Sequence, residues 1–215
     1  LRVVWDTPDG EQGVEAQMVL MATGRQPYTE ELGLSELGIK MDGRAIVANE
    51  HLKTSVDDVY AVGDVLGKRM LAHVASYEGE VAVENALGYP RQADYRAVPS
   101  CIFTQPEIAG VGITETEAKD SGIPYKVSKF PFLACGRAVT MDETMGMVKM
   151  ICNAENGRVL GMHIMGPHAS DLIAEGVLAI QLGATARDIA HTIHAHPTLP
   201  EAVREAAMGQ LEGSI

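Results

Sequence analysis

Near the C-terminus, His194-Ala195-His196-Pro197-Thr198-Leu199-Pro200-Glu201 sets two imidazoles, a proline-stiffened turn and a carboxylate close together in the chain. A carboxylate that accepts a hydrogen bond from one imidazole nitrogen fixes the tautomer and leaves the other nitrogen as a base, which is the logic of an oriented acid–base histidine. Glu201 also has a structural reading. With Thr198 at an N-cap, Pro200 in the first turn and Glu201 three residues on, the stretch spells a capping box, followed by the apolar stripe Val203, Ala206, Ala207 and Leu211. The residues alone leave both roles open.

A second set could meet a ligand in the first half of the chain. Met21-Ala22-Thr23-Gly24-Arg25 ends an apolar run in small residues, which either let a ligand come close or merely turn the chain. Val59 to Val62 is a continuous apolar run, as in a strand buried on both faces, and it delivers Gly63-Asp64 to the strand's C-terminal edge, where α/β sheets bind ligands. Asp64 suits the hydroxyls of a ribose-like chain, or a turn. Met70-Leu71-Ala72-His73 opens a helix whose free N–H groups could stabilise an electron-rich ring edge, with His73 as a packing or capping residue.

The elements that must carry these residues follow from pattern. A hairpin is expected from residues 2 to 6 and 14 to 22 around a turn-rich stretch at 7 to 13. A short helical segment broken by Gly33 is expected from Thr29 to Leu37, then a strand over 44 to 48 and a helix from Met70 to Leu87 stopped by Gly88. Beyond Gly88-Tyr89-Pro90 the pattern changes. Strands at 100–104, 108–112, 125–130, 146–152 and 158–165 surround a capping-box helix at Thr114-Glu117, with a hairpin turn at 153–157. Helices are then expected at 170–182, ended by Gly183, and from Thr185 or Ala186. The fold class is therefore α/β followed by α+β.

Composition narrows the partners. Seventeen Lys and Arg against twenty-nine Asp and Glu give a formal charge of -12, with no basic stripe, so nucleic acid is not expected. No apolar run is long enough to span a bilayer, and no membrane partner is expected. Cys101, Cys135 and Cys152 fit neither a disulfide framework nor a zinc ribbon; no metal site is expected, Cys101 and Cys152 read as buried small hydrophobes, and a reducing cytoplasm is the default. The chain opens on Leu1-Arg2-Val3-Val4-Trp5 with no initiator Met, as though it began inside a larger protein.

Taken together, MATGRQP, TSVDDVYAVGDV, MLAHVASYEGEVAVENALG, PSCIFTQPEIAGVG, GRVLGMHIMGP and IHAHPTLPEAVREA resemble, in that order, the C-terminal half of the flavoprotein disulfide reductases. The match runs over nearly the whole chain. HAHPTLPE resembles the dihydrolipoamide dehydrogenases more than the glutathione or mercuric reductases. The wording departs at Asp57-Asp58, where Pro-Asn is common, and at Pro200, where Ser is common.

The resemblance implies that His196 deprotonates and reprotonates a dihydrolipoamide thiol, with Glu201 orienting it. It implies that Asp64 holds the ribitol hydroxyls of FAD, that Met70, Leu71, Ala72 and His73 lie along the flavin's pyrimidine edge, and that Gly24 and Arg25 mark the crossing from an NAD domain. Residues 1–24 would be the tail of that NAD domain, 25–94 the second part of the FAD domain, and 95–215 an interface domain. It implies a homodimer, with the histidine acting on the other subunit's disulfide, and a lipoamide carrier domain of a 2-oxoacid dehydrogenase complex as partner. Neither G-x-G-x-x-G nor Cys-x4-Cys occurs in these residues. This chain alone is therefore expected to be inactive and not to bind FAD tightly. The alternatives are a non-catalytic dimerisation module and a sibling reductase acting on another disulfide.

Overall fold

The computed structural model describes residues 1–211. The chain divides into two compact units, Leu1–Ala93 and a second beginning at Asp94.

The first unit opens with β1 (Arg2–Thr7) and β2 (Gly10–Glu15), an antiparallel hairpin in register from Arg2↔Glu15 to Thr7↔Gly10. The turn is only Pro8-Asp9, with Gly10 at φ 113°, a value that favours glycine. This corrects the expected register: the short turn recruits the polar Gly10–Glu15 as the partner strand. The apolar run at 17–22 gains no strand partner among the described residues, and Met18 and Leu20 are exposed.

The helix expected from Thr29 to Leu37 is a series of turns, interrupted at Gly33 by a φ of 65°. The strand expected at 44–48 shrinks to β4 (Ala45–Ile46), paired with β3 (Met41–Asp42). Nor is Val59–Val62 a strand: it makes one bridge, Lys53↔Tyr60. A doubly buried strand needs neighbours on both sides, and the described residues supply only the 52–54 segment, through the Ala61 N–H to Leu52 carbonyl and Thr54 N–H to Val59 carbonyl bonds. The run still packs, since Ala61 joins Ile39, Ile46, Leu52, Leu66, Val81 and Ala82 in one core. A 3-10 turn at Gly63–Leu66 precedes α1 (Ala72–Ala86), which buries Val74, Glu78, Val81 and Ala82 on one face.

The second unit is built on a five-stranded antiparallel sheet. Its members in chain order are β5 (Ser100–Ile102), β6 (Glu107–Gly112), β7 (Tyr125–Pro131), β8 (Met147–Asn153) and β9 (Val159–Gly166), arranged in space as β5-β6-β9-β8-β7. Between β6 and β7 lies α2 (Glu115–Asp120), opened by the expected reciprocal capping box of Thr114 and Glu117. The expected turn at 153–157 joins β8 to β9. A 3-10 turn at Phe132–Ala134 and the short α3 (Gly136–Met141) were not expected; they bury Phe132 and Ala138.

The chain then runs through α4 (Ala169–Leu182), α5 (Ala186–His191) and α6 (Glu201–Leu211). Ala109 and Val111 of β6, Val148, Met150 and Cys152 of β8, and Met162 and Ile164 of β9 form the core with the apolar stripes of α4 and α6. Helix α4 lies close on the sheet at Gly176, where a β-carbon would stand 3.0 Å from the Met162 side chain and 3.2 Å from Val111. Helix α6 is fastened by Gln210, whose amide donates to the Met150 carbonyl at 3.0 Å and the Lys126 carbonyl at 3.3 Å, and by the Ser128 hydroxyl on the Ala206 carbonyl at 2.5 Å. Buried polar groups satisfied in this way fix one position of the helix, since leaving any of them unpaired would cost ~1–3 kcal/mol. Of the cysteines, Cys152 and Cys135 are buried and Cys101 is only half-buried. The expectation for Cys101 is corrected to that extent.

Candidate acid–base site

The loop from Thr192 to Pro200 joins α5 to α6 and carries both histidines. α5 ends with the Thr192 hydroxyl on the Asp188 carbonyl at 2.8 Å, and extended backbone follows. His194 turns inward, its side chain 7 % exposed; Nδ1 is 2.9 Å from the Thr192 carbonyl and Nε2 is 3.0 Å from Glu175 Oε1 on α4. Two residues on, His196 turns outward and is 78 % exposed. The peptide bond to Pro197 is cis.

His196 Nδ1 lies 2.9 Å from Glu201 Oε1, while Glu201 Oε2 accepts the Thr198 N–H at 2.8 Å. These two hydrogen bonds, the Thr198 N–H first and the His196 ring second, hold the Glu201 carboxyl below the usual carboxylate range. Near neutral pH it is therefore ionised and acts only as an acceptor. The nitrogen facing it must carry hydrogen, so the lone pair of a neutral His196 sits on the outward Nε2. That is the arrangement of a base open to a substrate arriving from outside this unit.

The capping box read from the sequence is half formed. Thr198 N–H reaches Glu201, but the Thr198 hydroxyl donates to the Ala195 carbonyl at 2.6 Å and does not cap the helix. Glu201 thus serves both readings at once, one oxygen for the helix start and one for the imidazole. The turn is pinned from below by Leu199, which is buried, and by the Cys135 thiol against the Thr198 carbonyl at 3.6 Å.

The other expected residues lie in the first unit. Asp64 is exposed in the 3-10 turn, and α1 begins at Ala72 with no side-chain cap on its first turn. The two features are held together from beneath: Glu78 of α1, buried, accepts the Gly63 N–H at 2.6 Å, and Gly63 (φ 75°) sits so close that a β-carbon would fall 2.9 Å from Ala75 Cβ. Met70 and Leu71 are half-buried at this junction, and Ala72 and His73 are exposed. Gly24 (φ 99°) and Arg25 are exposed on a segment without regular structure.

Two groups escaped sequence reading. Glu78 left a signal, being a carboxylate one turn after Val74 in an otherwise apolar stripe. Glu175 left none, because a glutamate on a helix is ordinary until the fold brings His194 to it.

Residues 98–207 match the sequence pattern of the pyridine nucleotide-disulphide oxidoreductase dimerisation domain, and residues 3–79 that of the pyridine nucleotide-disulphide oxidoreductase domain. The chain belongs to the pyridine nucleotide-disulphide oxidoreductase family. Among relatives of this chain, dihydrolipoyl dehydrogenase of Geobacillus stearothermophilus is 47% identical over 206 residues, which are 95% of this chain and 44% of the relative. Leghemoglobin reductase of Glycine max is 47% identical over 202 residues, 93% of this chain and 38% of the relative. The chain thus spans less than half the length of these relatives. Among solved structures, LpdA from Mycobacterium tuberculosis superposes with a TM-score of 0.89 at 31% identity, covering 95% of this chain and 45% of that one. The HOCl-induced flavoprotein disulfide reductase RclA from Escherichia coli gives a TM-score of 0.86 at 28% identity, covering 96% and 48%.

Proposed function

We propose that this chain is the C-terminal portion of a dihydrolipoamide dehydrogenase, and that His196, oriented by Glu201, is its acid–base residue. The observation that carries the reading is the 2.9 Å bond from His196 Nδ1 to an ionised Glu201, with the opposite nitrogen exposed. In the reaction, His196 Nε2 takes the proton from one dihydrolipoamide thiol, and the resulting thiolate is the nucleophile for a disulfide. The protonated ring then returns that proton to the departing sulfur. Glu201 stabilises the imidazolium while it exists and restores the tautomer afterwards.

The first unit fits the flavin half of FAD. Asp64 is an exposed acceptor suited to ribitol hydroxyls, and the first turn of α1 at Leu71, Ala72 and His73, which the Leu71 side chain does not cap, presents the positive end of a helix. A β-carbon at Gly63 would strike Ala75, so this junction accepts only glycine. When bound, FAD supplies the two-electron relay from thiols to NAD. Met70 precedes Leu71 at this junction, and Gly24 and Arg25 mark the crossing from the NAD domain back to the FAD domain. The adenosine half of that site is not among these residues, so tight FAD binding is assigned to the full-length protein, and the fragment alone is inactive.

The corresponding division is 1–24 as the tail of the NAD domain, 25–94 as FAD domain and 95–215 as interface domain; the separation of compact units at Ala93/Asp94 supports its second boundary. The match of residues 98–207 to a dimerisation domain supports a homodimer, and the dihydrolipoamide reading makes a lipoyl carrier of a 2-oxoacid dehydrogenase complex the partner. Among the described residues no helix is long and apolar enough to cross a membrane, and the free cysteines suit a reducing cytoplasm.

Turnover of the full-length protein with dihydrolipoamide and NAD, and with glutathione disulfide or Hg(II) and a reduced nicotinamide, tests the assignment. Preference for the lipoyl substrate supports it, and preference for either of the others replaces it with a sibling reductase. A full-length protein that dimerises but turns over none of them would be a binding module.

A further inference from the structure

Between α4 and the catalytic loop lies a pair that the acid–base mechanism does not use. The His194 ring is almost fully enclosed, yet both of its nitrogens face acceptors: the Thr192 carbonyl at 2.9 Å and Glu175 Oε1 at 3.0 Å. A neutral imidazole donates from one nitrogen only, so it would turn a lone pair toward one of these oxygens. An imidazolium satisfies both. Glu175 is only 30 % exposed and stands on a fourteen-residue helix that is packed on the sheet.

We propose that His194 and Glu175 form a charged clamp, imidazolium on carboxylate, that positions the catalytic loop on α4 and sets the field at the His196–Glu201 pair. The inference rests on the acid–base reading of His196 given above.

Three connections support it. Mechanically, His194 is followed by Ala195, whose carbonyl accepts the Thr198 hydroxyl, and Thr198 N–H in turn anchors Glu201. The clamp on α4 therefore fixes one end of the turn that presents His196. Electrostatically, the His194 charge is among the influences that lower the Glu201 carboxyl, behind the Thr198 and His196 bonds. Structurally, Ile193 beside it is exposed whereas the His194 side chain is enclosed, so the inward hold on this part of the loop comes from His194. The titratable and charged groups around the clamp are Glu175 on α4, His191 on α5, Glu201 and Arg204 on α6, and His196 on the loop itself. Arg204 is already engaged by Glu205 at 2.8 Å. His194 thus bonds Glu175 directly and acts on Glu201 through its charge. Both His194 and Glu175 are positioning residues, since they act on substrate only through His196.

The test uses the full-length holoenzyme with His194→Gln, Glu175→Gln, the double variant and His194→Lys, following lipoamide turnover against pH with flavin absorbance as a control for folding. Gln at 194 keeps a donor for Glu175 but removes the charge. Loss of a cation near His196 lets that ring hold its proton more tightly, so the acidic limb of the kcat profile moves to higher pH. The expected shift is on the order of threefold in proton concentration, the scale of one screened ion–ion interaction. kcat at neutral pH falls roughly tenfold, short of the ~10²–10⁴-fold expected when the base itself is lost, while KM changes little.

Glu175→Gln, which deprives the ring of its anion, shifts the limb in the same direction, and the double variant is no worse than either single one. His194→Lys restores the limb. A kcat loss without any shift of the acidic limb, or additive losses in the double variant, overturns the proposal in favour of simple packing. His196→Gln is measured beside them. If it retains turnover, the acid–base reading itself fails; if it loses turnover while the His194 and Glu175 variants keep the wild-type profile, only the clamp fails.

Discussion

Glu201 offers a test in which the milder substitution does the greater harm. Its two carboxylate oxygens are divided between Thr198 N–H at 2.8 Å and His196 Nδ1 at 2.9 Å. In Glu201→Gln one oxygen remains, and it goes to the Thr198 N–H because a backbone donor cannot change its role. The amide NH2 then meets Nδ1, which must accept. The ring's hydrogen moves to Nε2, and the outward nitrogen loses the lone pair it needs as a base. That inverts the tautomer and should cost about as much as removing the base, on the order of 10²–10⁴ in kcat.

Glu201→Ala leaves the ring without a partner but free to adopt either tautomer. A hydrogen bond to a charged group contributes ~1.5–3 kcal/mol, worth roughly 10- to 150-fold in the favoured orientation, and the low end is expected because water already reaches His196. Stability should rank the other way. The alanine loses the acceptor at the start of α6, costing ~1 kcal/mol, whereas glutamine keeps it. Lipoamide turnover and thermal melting of both variants in the full-length protein read the two orders directly. If alanine proves worse than glutamine in both assays, Glu201 is a helix cap and the orientation argument is refuted.

Further outcomes follow from the same structure. Glu117, Glu201 and Asp188 all sit below their ordinary values of 4.5, 4.5 and 3.8: Glu117 and Glu201 chiefly through backbone N–H groups at helix starts, Asp188 first through the Thr185 hydroxyl. Their contribution to stability is therefore complete above those values and is lost as pH falls through the lower folded ones. Melting temperature should decline below about pH 4.5, and a rise on acidification would contradict the assignment. Burial pushes the Cys152 thiol up to about 12, so alkylation at pH 8 should spare it in the folded protein and reach it after denaturation; equal labelling in both states would refute its burial. Met162→Ala, emptying a fully buried site beneath Gly176, should cost ~2–5 kcal/mol in denaturant unfolding. A loss under 1 kcal/mol would mean that α4 does not seat on β9 as described.

The second unit was legible in outline because its signals are local. Thr114 and Glu117 form the capping box their spacing spells, Gly183 ends α4, and 153–157 turns β8 into β9, each within a few residues. The short α3 escaped because, unlike the equally short α2 and α5, it has no side-chain cap to announce its start. The first unit was less legible for a physical reason: Val59–Val62 and the run at 17–22 are patterned for sheet neighbours that the described residues do not provide, so their apolar character does not become strand. At the site, His196 and Glu201 could be paired from a spacing of five residues. The division of Glu201 between cap and imidazole, and the reach of Glu175 across nineteen positions to His194, needed the fold.

The most direct measurement of the central claim is dihydrolipoamide turnover by the full-length protein carrying His196→Gln. An oriented acid–base His196 predicts a loss of ~10²–10⁴-fold in kcat with the flavin absorbance unchanged. Turnover near the wild-type rate would remove His196 from the chemistry.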